Sequence, residues 1–319
     1  MAVRTVERVA RTGPEDVGLR LDQVAARHFA EFSRARLQAW IRAGALLVDG
    51  HPARPAQRLA GGEQLLLRAI LEPAEGLLPE PIPLAVVHCD AEILVLDKPP
   101  GLVVHPGAGV SRGTLLNALL HHYPEQALLP RAGIVHRLDK DTSGLLVVAR
   151  TLEAHQALVR ALKARAVGRE YLGVVHGQPP DAGTIDAPIG RHPTARTRFA
   201  VVERGGREAR THFRVERRFA RHALVRVRLE TGRTHQIRVH LSHLGHPLVG
   251  DPVYGGRRRT ATADDPLAGR LRAFRRQALH AERLEFDHPA SGARLSFHAP
   301  PPPDLRQLLA ALEADQWGT

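Results

Sequence analysis

A chain of 319 residues with 43% hydrophobic content and a net charge of +12 suggests two domains with a sizeable core and partners that carry phosphate. The single cysteine, Cys89, excludes an internal disulfide and a cysteine zinc cluster. The first residues lack a signal-peptide core and no apolar run reaches membrane-span length, so a cytoplasmic setting without membrane contact is expected, with a monomer as the default.

Residues 1–17 read as an N-terminal extension and 18–71 as a small separate module. In "SRARLQAWIRAGALLVDG" the expected N-cap is Ser33. Leu37, Trp40 and Ile41 follow at helical spacing, and Gly44 stands where a helix ends. "ALLVDGHPA" reads as a strand entering a turn at Asp49-Gly50, and "EQLLLRA" as a second strand. The module holds eight arginines against four acids. Arg34, Arg36 and Arg42 share one short helix, as a solvated face or as an RNA-facing one. The Pro-rich stretch at 72–83 reads as a semi-rigid linker.

From 84 to 319 the pattern changes. "ILVLDKP" and "GLLVVAR" are short apolar runs of buried strands. "TLEAHQALVRALKARA" carries Ala154, Leu158, Ala161 and Leu162 at helical spacing behind a Thr151 cap. "EYLGVVHG" is another strand. "EARTHFRVERRF" and "ALVRVRLETG" alternate apolar with charged residues, as half-buried strands do. "THQIRVHLSHLG" reads as a helix capped by Thr234, with Ile237, Leu241 and Leu244 inward. "DLRQLLAALEAD" is a closing helix on Leu305, Leu308, Leu309 and Leu312. The fold class is α+β: a small α/β module, then a domain with a large mixed, mostly antiparallel sheet flanked by helices.

Among candidate sites, His235, His240 and His243 do not share one helix face and lack a carboxylate at ligand spacing. Hydrogen-bonded or solvated histidines are favoured over a metal. Cys89 reads as a buried structural thiol. No Gly-rich phosphate loop implies a nucleotide cofactor. The richest stretch is "GIVHRLDKDTSGLLVVART", residues 133–151, which sets five charged or titratable residues between two apolar arms read as sheet. "DTSG" has turn chemistry. Asp139, at a strand end, is a possible site carboxylate, and Arg137 and Lys140 favour its ionised form. Residue types alone leave it a nucleophile, a base or a salt-bridge partner.

"HRLDKDTSGLLVVAR" resembles the signature of the RluA family of RNA pseudouridine synthases. So do "LDKPPGLVVHPGAG", "REYLGVVHG", "LETGRTHQIRVHLSHLGHPLVGDPVYGG" and "RQALHAERLEF", in family order over about residues 84–300. The 18–71 module resembles an S4 RNA-binding domain, a pairing similar to the ribosomal members. That resemblance implies isomerisation of neighbouring uridines in an inter-subunit stem-loop of large-subunit ribosomal RNA, without cofactor or metal. Its partner would be that RNA or the nascent large subunit. Asp139 matches the catalytic aspartate, Arg238 the arginine that pairs with it, and Tyr171 the active-site tyrosine. Arg137 matches the arginine that enters the space left by a flipped base. His136, Arg233 and His235, in the same motifs, are candidates for substrate contact, and Arg34, Arg36 and Arg42 for RNA backbone contact. The seven arginines between Gly256 and Arg276 form a second basic patch. The competing readings are an inactive RNA-binding assembly factor and a family member acting on another ribosomal or transfer RNA site.

Overall fold

The structure, a computed structural model, describes residues 4–30, 32, 34–71, 78–107, 110–195, 198–255 and 266–317. The N-terminal unit contains β1 (Arg4–Arg11), α1 (Leu21–His28), α2 (Arg34–Arg42), β2 (Leu46–Val48), β3 (His51–Pro52) and β4 (Gln64–Leu71), with its sheet ordered β1-β4-β2-β3. Residues 4–11 are therefore not part of an extension. They pair antiparallel with β4 along their whole length, from Arg4↔Leu71 to Arg11↔Gln64. "RTVERVAR" hides this edge strand because only Val6 of its two valines is buried while Val9 faces solvent.

Leu21, Val24 and Ala25 of α1 and Leu37 and Ile41 of α2 pack over Leu46, Leu65 and Leu67. Each fully buried Val, Leu or Ile side chain here contributes about 1.5–3 kcal/mol. Asp49 and Gly50 both have positive φ, 48° and 78°, the geometry of a two-residue hairpin that matches strand twist. Gly44 ends α2 at φ 72°, and the Ala45 N–H donates to the Trp40 carbonyl at 2.9 Å. The Ser33 cap lies outside the described residues.

The second unit begins with β5 (Val86–Cys89), β6 (Ile93–Lys98), α3 (Leu115–His122), β7 (Ser143–Ala149), α4 (Leu152–Lys163) and β8 (Gly168–His176). It continues with β9 (Ala182–Asp186), β10 (Ile189–Arg191), β11 (Phe199–Val201), β12 (Arg210–Arg218), β13 (His222–Leu229) and α5 (Gln236–His243). It ends with α6 (Pro266–Ala273), β14 (Leu279–Asp287), β15 (Arg294–His298) and α7 (Pro303–Trp317). Nine strands form one sheet in the order β5-β6-β7-β14-β8-β13-β12-β9, with β15 beside β14. β10 and β11 make a separate ribbon. Its pairings are antiparallel except β7 with β14, which run parallel only at Ser143↔His280 and Gly144↔Ala281.

One face of this sheet builds a core from Leu146, Val148, Val225, Val227, Phe213 and the inner residues of α3 and α5. The opposite face is covered at one end by α4, against Val147 and Phe286, and at the other by α7 through Leu305, Leu308 and Leu312. The Thr151 hydroxyl caps α4 by accepting the Ala154 N–H at 3.1 Å. α5 is capped one residue later than expected. His235, not Thr234, is its N-cap, in a left-handed conformation at φ 57° with no side-chain capping bond.

Two other expectations are corrected. Cys89 is exposed, because β5 is the outermost strand of the sheet. The apolar arm "GIV" is not a strand: it leaves a 3-10 turn over Pro130–Gly133 and joins the sheet through an isolated Ile134–Val148 bridge. The other arm is β7, buried throughout. Gly144 is obligatory where β7 meets β14, since at φ 109° a Cβ would stand 2.2 Å from the Ala281 carbonyl oxygen.

Candidate active site

Asp139 lies in the loop that enters β7, at the head of a turn in which the Thr142 N–H donates to the Asp139 carbonyl at 3.1 Å. The turn is pinned from below by residues far away in sequence. Lys98, 1% exposed at the end of β6, donates to the carbonyls of Lys140 at 2.9 Å, Pro99 at 2.7 Å and Leu102 at 3.0 Å. Burial draws its pKa down to about 7, against the pull of the Asp141 and Asp139 carboxylates. Arg276 donates to the Asp141 carbonyl at 3.1 Å, and Gln277 to the Thr142 hydroxyl at 3.1 Å.

Arg238 reaches this turn from the interior of α5. Its Nη1 donates to Asp139 Oδ2 at 3.1 Å. Its Nε and Nη2 grip Asp251 at 2.7 and 2.9 Å, the fork geometry that suits a carboxylate. Burial alone would raise the Asp251 pKa, but Arg238 and the amides of Val253 and Tyr254 hold it below the usual range. Burial likewise disfavours the charged guanidinium, and the two carboxylates reverse that, Asp251 first. The Tyr254 ring lies 5.0 Å from the guanidinium carbon, and its hydroxyl is bonded to His235 Nδ1 at 2.9 Å and to the Phe199 N–H at 3.1 Å.

A cleft of about 1030 Å³ opens over this pair and is lined by Asp139, Tyr171, Arg238, Arg137, His136, Arg233 and His235. The seven residues singled out in the catalytic domain are thus brought together. Tyr171, on β8 opposite Val227 and Ala281, is buried, which raises its phenol pKa, and the nearby Asp139 carboxylate adds to the rise. Arg137 stands exposed at the rim. The backbone of Arg233 is tied by Gln236, whose Oε1 accepts its N–H at 2.9 Å and the Thr231 hydroxyl at 2.8 Å.

His240 is absorbed by structure, between the Thr211 hydroxyl at 2.8 Å and the Ala187 carbonyl at 2.9 Å. No group of three metal-ligating side chains occurs among the described residues. Of the second basic patch, Arg257, Arg258, Arg259, Asp264 and Asp265 lie outside the described residues. Arg276 is not an RNA-facing cation: it is 9% exposed and forked onto Asp304 at 2.6 and 2.9 Å. Arg34, Arg36 and Arg42 lie on α2, outside the cleft lining. Arg34 is aimed by the buried Asp22, at 3.0 and 2.8 Å, and Arg36 stacks 5.8 Å from the Trp40 ring centroid.

Sequence reasoning passed over Asp251, Lys98, Gln236 and Tyr254. Asp251 and Tyr254 stand within "GDPVYGG", a motif fragment quoted without roles. Lys98 carried a cue in being one of only three lysines, at Lys98, Lys140 and Lys163.

The model of the RNA pseudouridylate synthases matches residues 92–243, and that of the S4 domain residues 19–65. The chain belongs to the RNA pseudouridylate synthases and carries an N-terminal S4 domain. It is 55% identical to the ribosomal large subunit pseudouridine synthase D of Pseudomonas aeruginosa, over 98% of this chain and 97% of that one. It is 49% identical to the protein of the same name from Escherichia coli K12, over 97% and 95%. Among solved structures it resembles human RNA pseudouridylate synthase domain containing 4, with a TM-score of 0.57 at 27% identity, covering 72% of this chain and 93% of the human one.

Proposed function

We propose that this protein isomerises uridines to pseudouridine in large-subunit ribosomal RNA, with Asp139 as the reacting carboxylate. The observation that carries the reading is the Asp139–Arg238–Asp251 chain at the floor of a cleft that also holds Tyr171. The names of the curated relatives supply the RNA class.

The reaction breaks the uridine N1–C1′ bond, turns the base and joins C5 to C1′. The proton on C5 leaves and N1 gains one, so no electrons change hands. The target base has to leave its stack to reach Asp139. Arg137, exposed at the rim, fills the vacated place. Tyr171 stacks on the uracil and borders the C5 proton. Arg238, fixed by its fork on Asp251, holds the Asp139 carboxylate aimed at the sugar or the base. His136, Arg233 and His235 contact the substrate, and Arg34, Arg36 and Arg42 of the S4 domain hold RNA backbone. The setting is the cytoplasm, on the nascent large subunit.

The test is tritium release from large-subunit RNA labelled at uridine C5. Wild type should release tritium and Asp139→Ala should not. Absence of release by wild type sinks the isomerase reading and leaves an RNA-binding assembly factor. Release by Asp139→Ala sinks the assignment of the carboxylate.

A further inference from the structure

Three arginines are buried among the described residues: Arg169, Arg238 and Arg276. Arg238 and Arg276 are each forked onto a carboxylate. Arg169 has no carboxylate partner among the described residues, although it is only 7% exposed. Its Nε is buried without an acceptor. Its side chain makes one hydrogen bond among the described residues, from Nη2 to the Glu230 carbonyl at 3.5 Å, the outer limit for such a bond. The guanidinium lines the catalytic cleft together with Asp139 and Tyr171.

His136 lines the same wall. Its Nε2 accepts the Val147 N–H at 3.2 Å, so its proton sits on Nδ1, and that atom too is buried without a partner. The two side chains are neighbours: burial, with the Arg169 charge added, holds His136 neutral by lowering its pKa to about 3. A Cβ on Gly232 would stand 2.9 Å from Arg169 Nη1, so an alanine there asks only a small shift of the flexible guanidinium end, whereas a larger side chain would take its place.

A buried Nε without an acceptor is an unmet donor, and the cleft-facing end of the guanidinium carries a charge that no carboxylate among the described residues meets. A uracil carbonyl would satisfy the donors but not the charge; a phosphodiester satisfies both. We propose that Arg169 forms a phosphate subsite that seats the RNA phosphodiester adjoining the flipped uridine. The subsite fixes the backbone while the base turns, which the isomerisation requires because base and sugar separate midway. This rests on the reading of the protein as an RNA isomerase.

The experiment uses the full chain and, as probe, deproteinised large-subunit RNA from cells lacking this gene. Binding is measured across a salt series, and KM and kcat from tritium release. Arg169→Gln should raise KM about tenfold, the worth of one charge-assisted hydrogen bond. It should also make the slope of log affinity against log salt shallower by about 0.7–0.9, one phosphate contact. Arg169→Lys should restore the slope. Gly232→Val, which fills the guanidinium's place without removing charge, should raise KM with the thermal midpoint little changed, and it decides the matter if Arg169→Gln fails to fold. An Arg169→Gln enzyme with the wild-type salt slope overturns the inference, whether kcat falls, as for a contact to a neutral base edge, or nothing changes. An unchanged KM in Gly232→Val also overturns it. Failure of wild type to release tritium while still binding RNA would instead strike the isomerase reading itself.

Discussion

The catalytic cleft and the S4 domain use one device in two ways. In each, a fully buried aspartate collects donors and thereby aims an arginine. Asp22 accepts from Arg20, Arg34 and Gln38, and Asp251 accepts from Arg238 and two backbone amides. Both carboxylates sit below the usual range although burial pushes them up. The difference is where the arginine's remaining donors go. Arg238 is 6% exposed and turns its Nη1 edge to Asp139, whereas Arg34 is 47% exposed and turns its free edge to solvent. A shielded arginine organises another side chain; a half-exposed one is left to meet phosphate.

The hardest break in this scheme is at the shared end of the cleft network. Asp139→Asn should bring pseudouridine formation to background in the tritium assay while the thermal midpoint moves little, because Arg238 keeps its fork on Asp251. Asp251→Asn should do something different in kind. It leaves Arg238 buried with one weakened partner, so stability should fall by about 3–5 kcal/mol, read by chemical denaturation. The loss of aim at Asp139 should lower kcat about a hundredfold. If Asp251→Asn were as stable as wild type, the cleft would not depend on a buried ion pair at all.

Much of this was open to reading in the chain and some was not, for physical reasons. β13 announced itself, since Val225 and Val227 face the core while Arg226 and Arg228 point out. β14 did not: Leu279 to Glu282 are buried on both faces and the register shifts between Ala281 and Arg283, so alternation is erased. Tyr171, Arg238 and Asp139 were joined by motif resemblance rather than by spacing, because 99 positions separate Arg238 from Asp139 and no periodicity spans that distance. Asp251, 13 positions from Arg238, escaped because its motif carried no role for it and its spacing fits no periodicity. The role of Lys98 was invisible because a lysine before Pro-Pro-Gly reads as surface, and only the fold shows three carbonyls converging on it.

Lys98 gives a pH test of how the floor of the cleft is held. Its folded-state pKa is about 7 against an ordinary 10.5. Between those values the unfolded chain binds a proton that the folded chain does not. Stability therefore rises with pH across this window through Lys98, and the contribution is at its least, and flat, below about pH 7. The stability difference between wild type and Lys98→Met should grow by up to about 1.4 kcal/mol per pH unit from pH 7 to 10. A difference independent of pH would mean that Lys98 keeps its proton throughout.

The smallest expected effect is at the exposed end of the comparison. Arg34→Gln removes a cation whose pairing with Asp22 is half solvated, so RNA affinity should weaken only roughly three- to fivefold, in keeping with about 1 kcal/mol for exposed pairs. The salt slope should flatten by one contact, and the loss should fall on KM far more than on kcat, because α2 supplies nothing to the cleft lining. Asp22→Asn sharpens the point. It keeps every arginine of the S4 domain but stops aiming Arg20 and Arg34, so filter-binding affinity should drop as in Arg34→Gln, with a lowered thermal midpoint besides. Should Asp22→Asn bind RNA as tightly as wild type, charge alone would suffice on this face. Aiming by a buried aspartate would then matter only where the arginine itself is hidden.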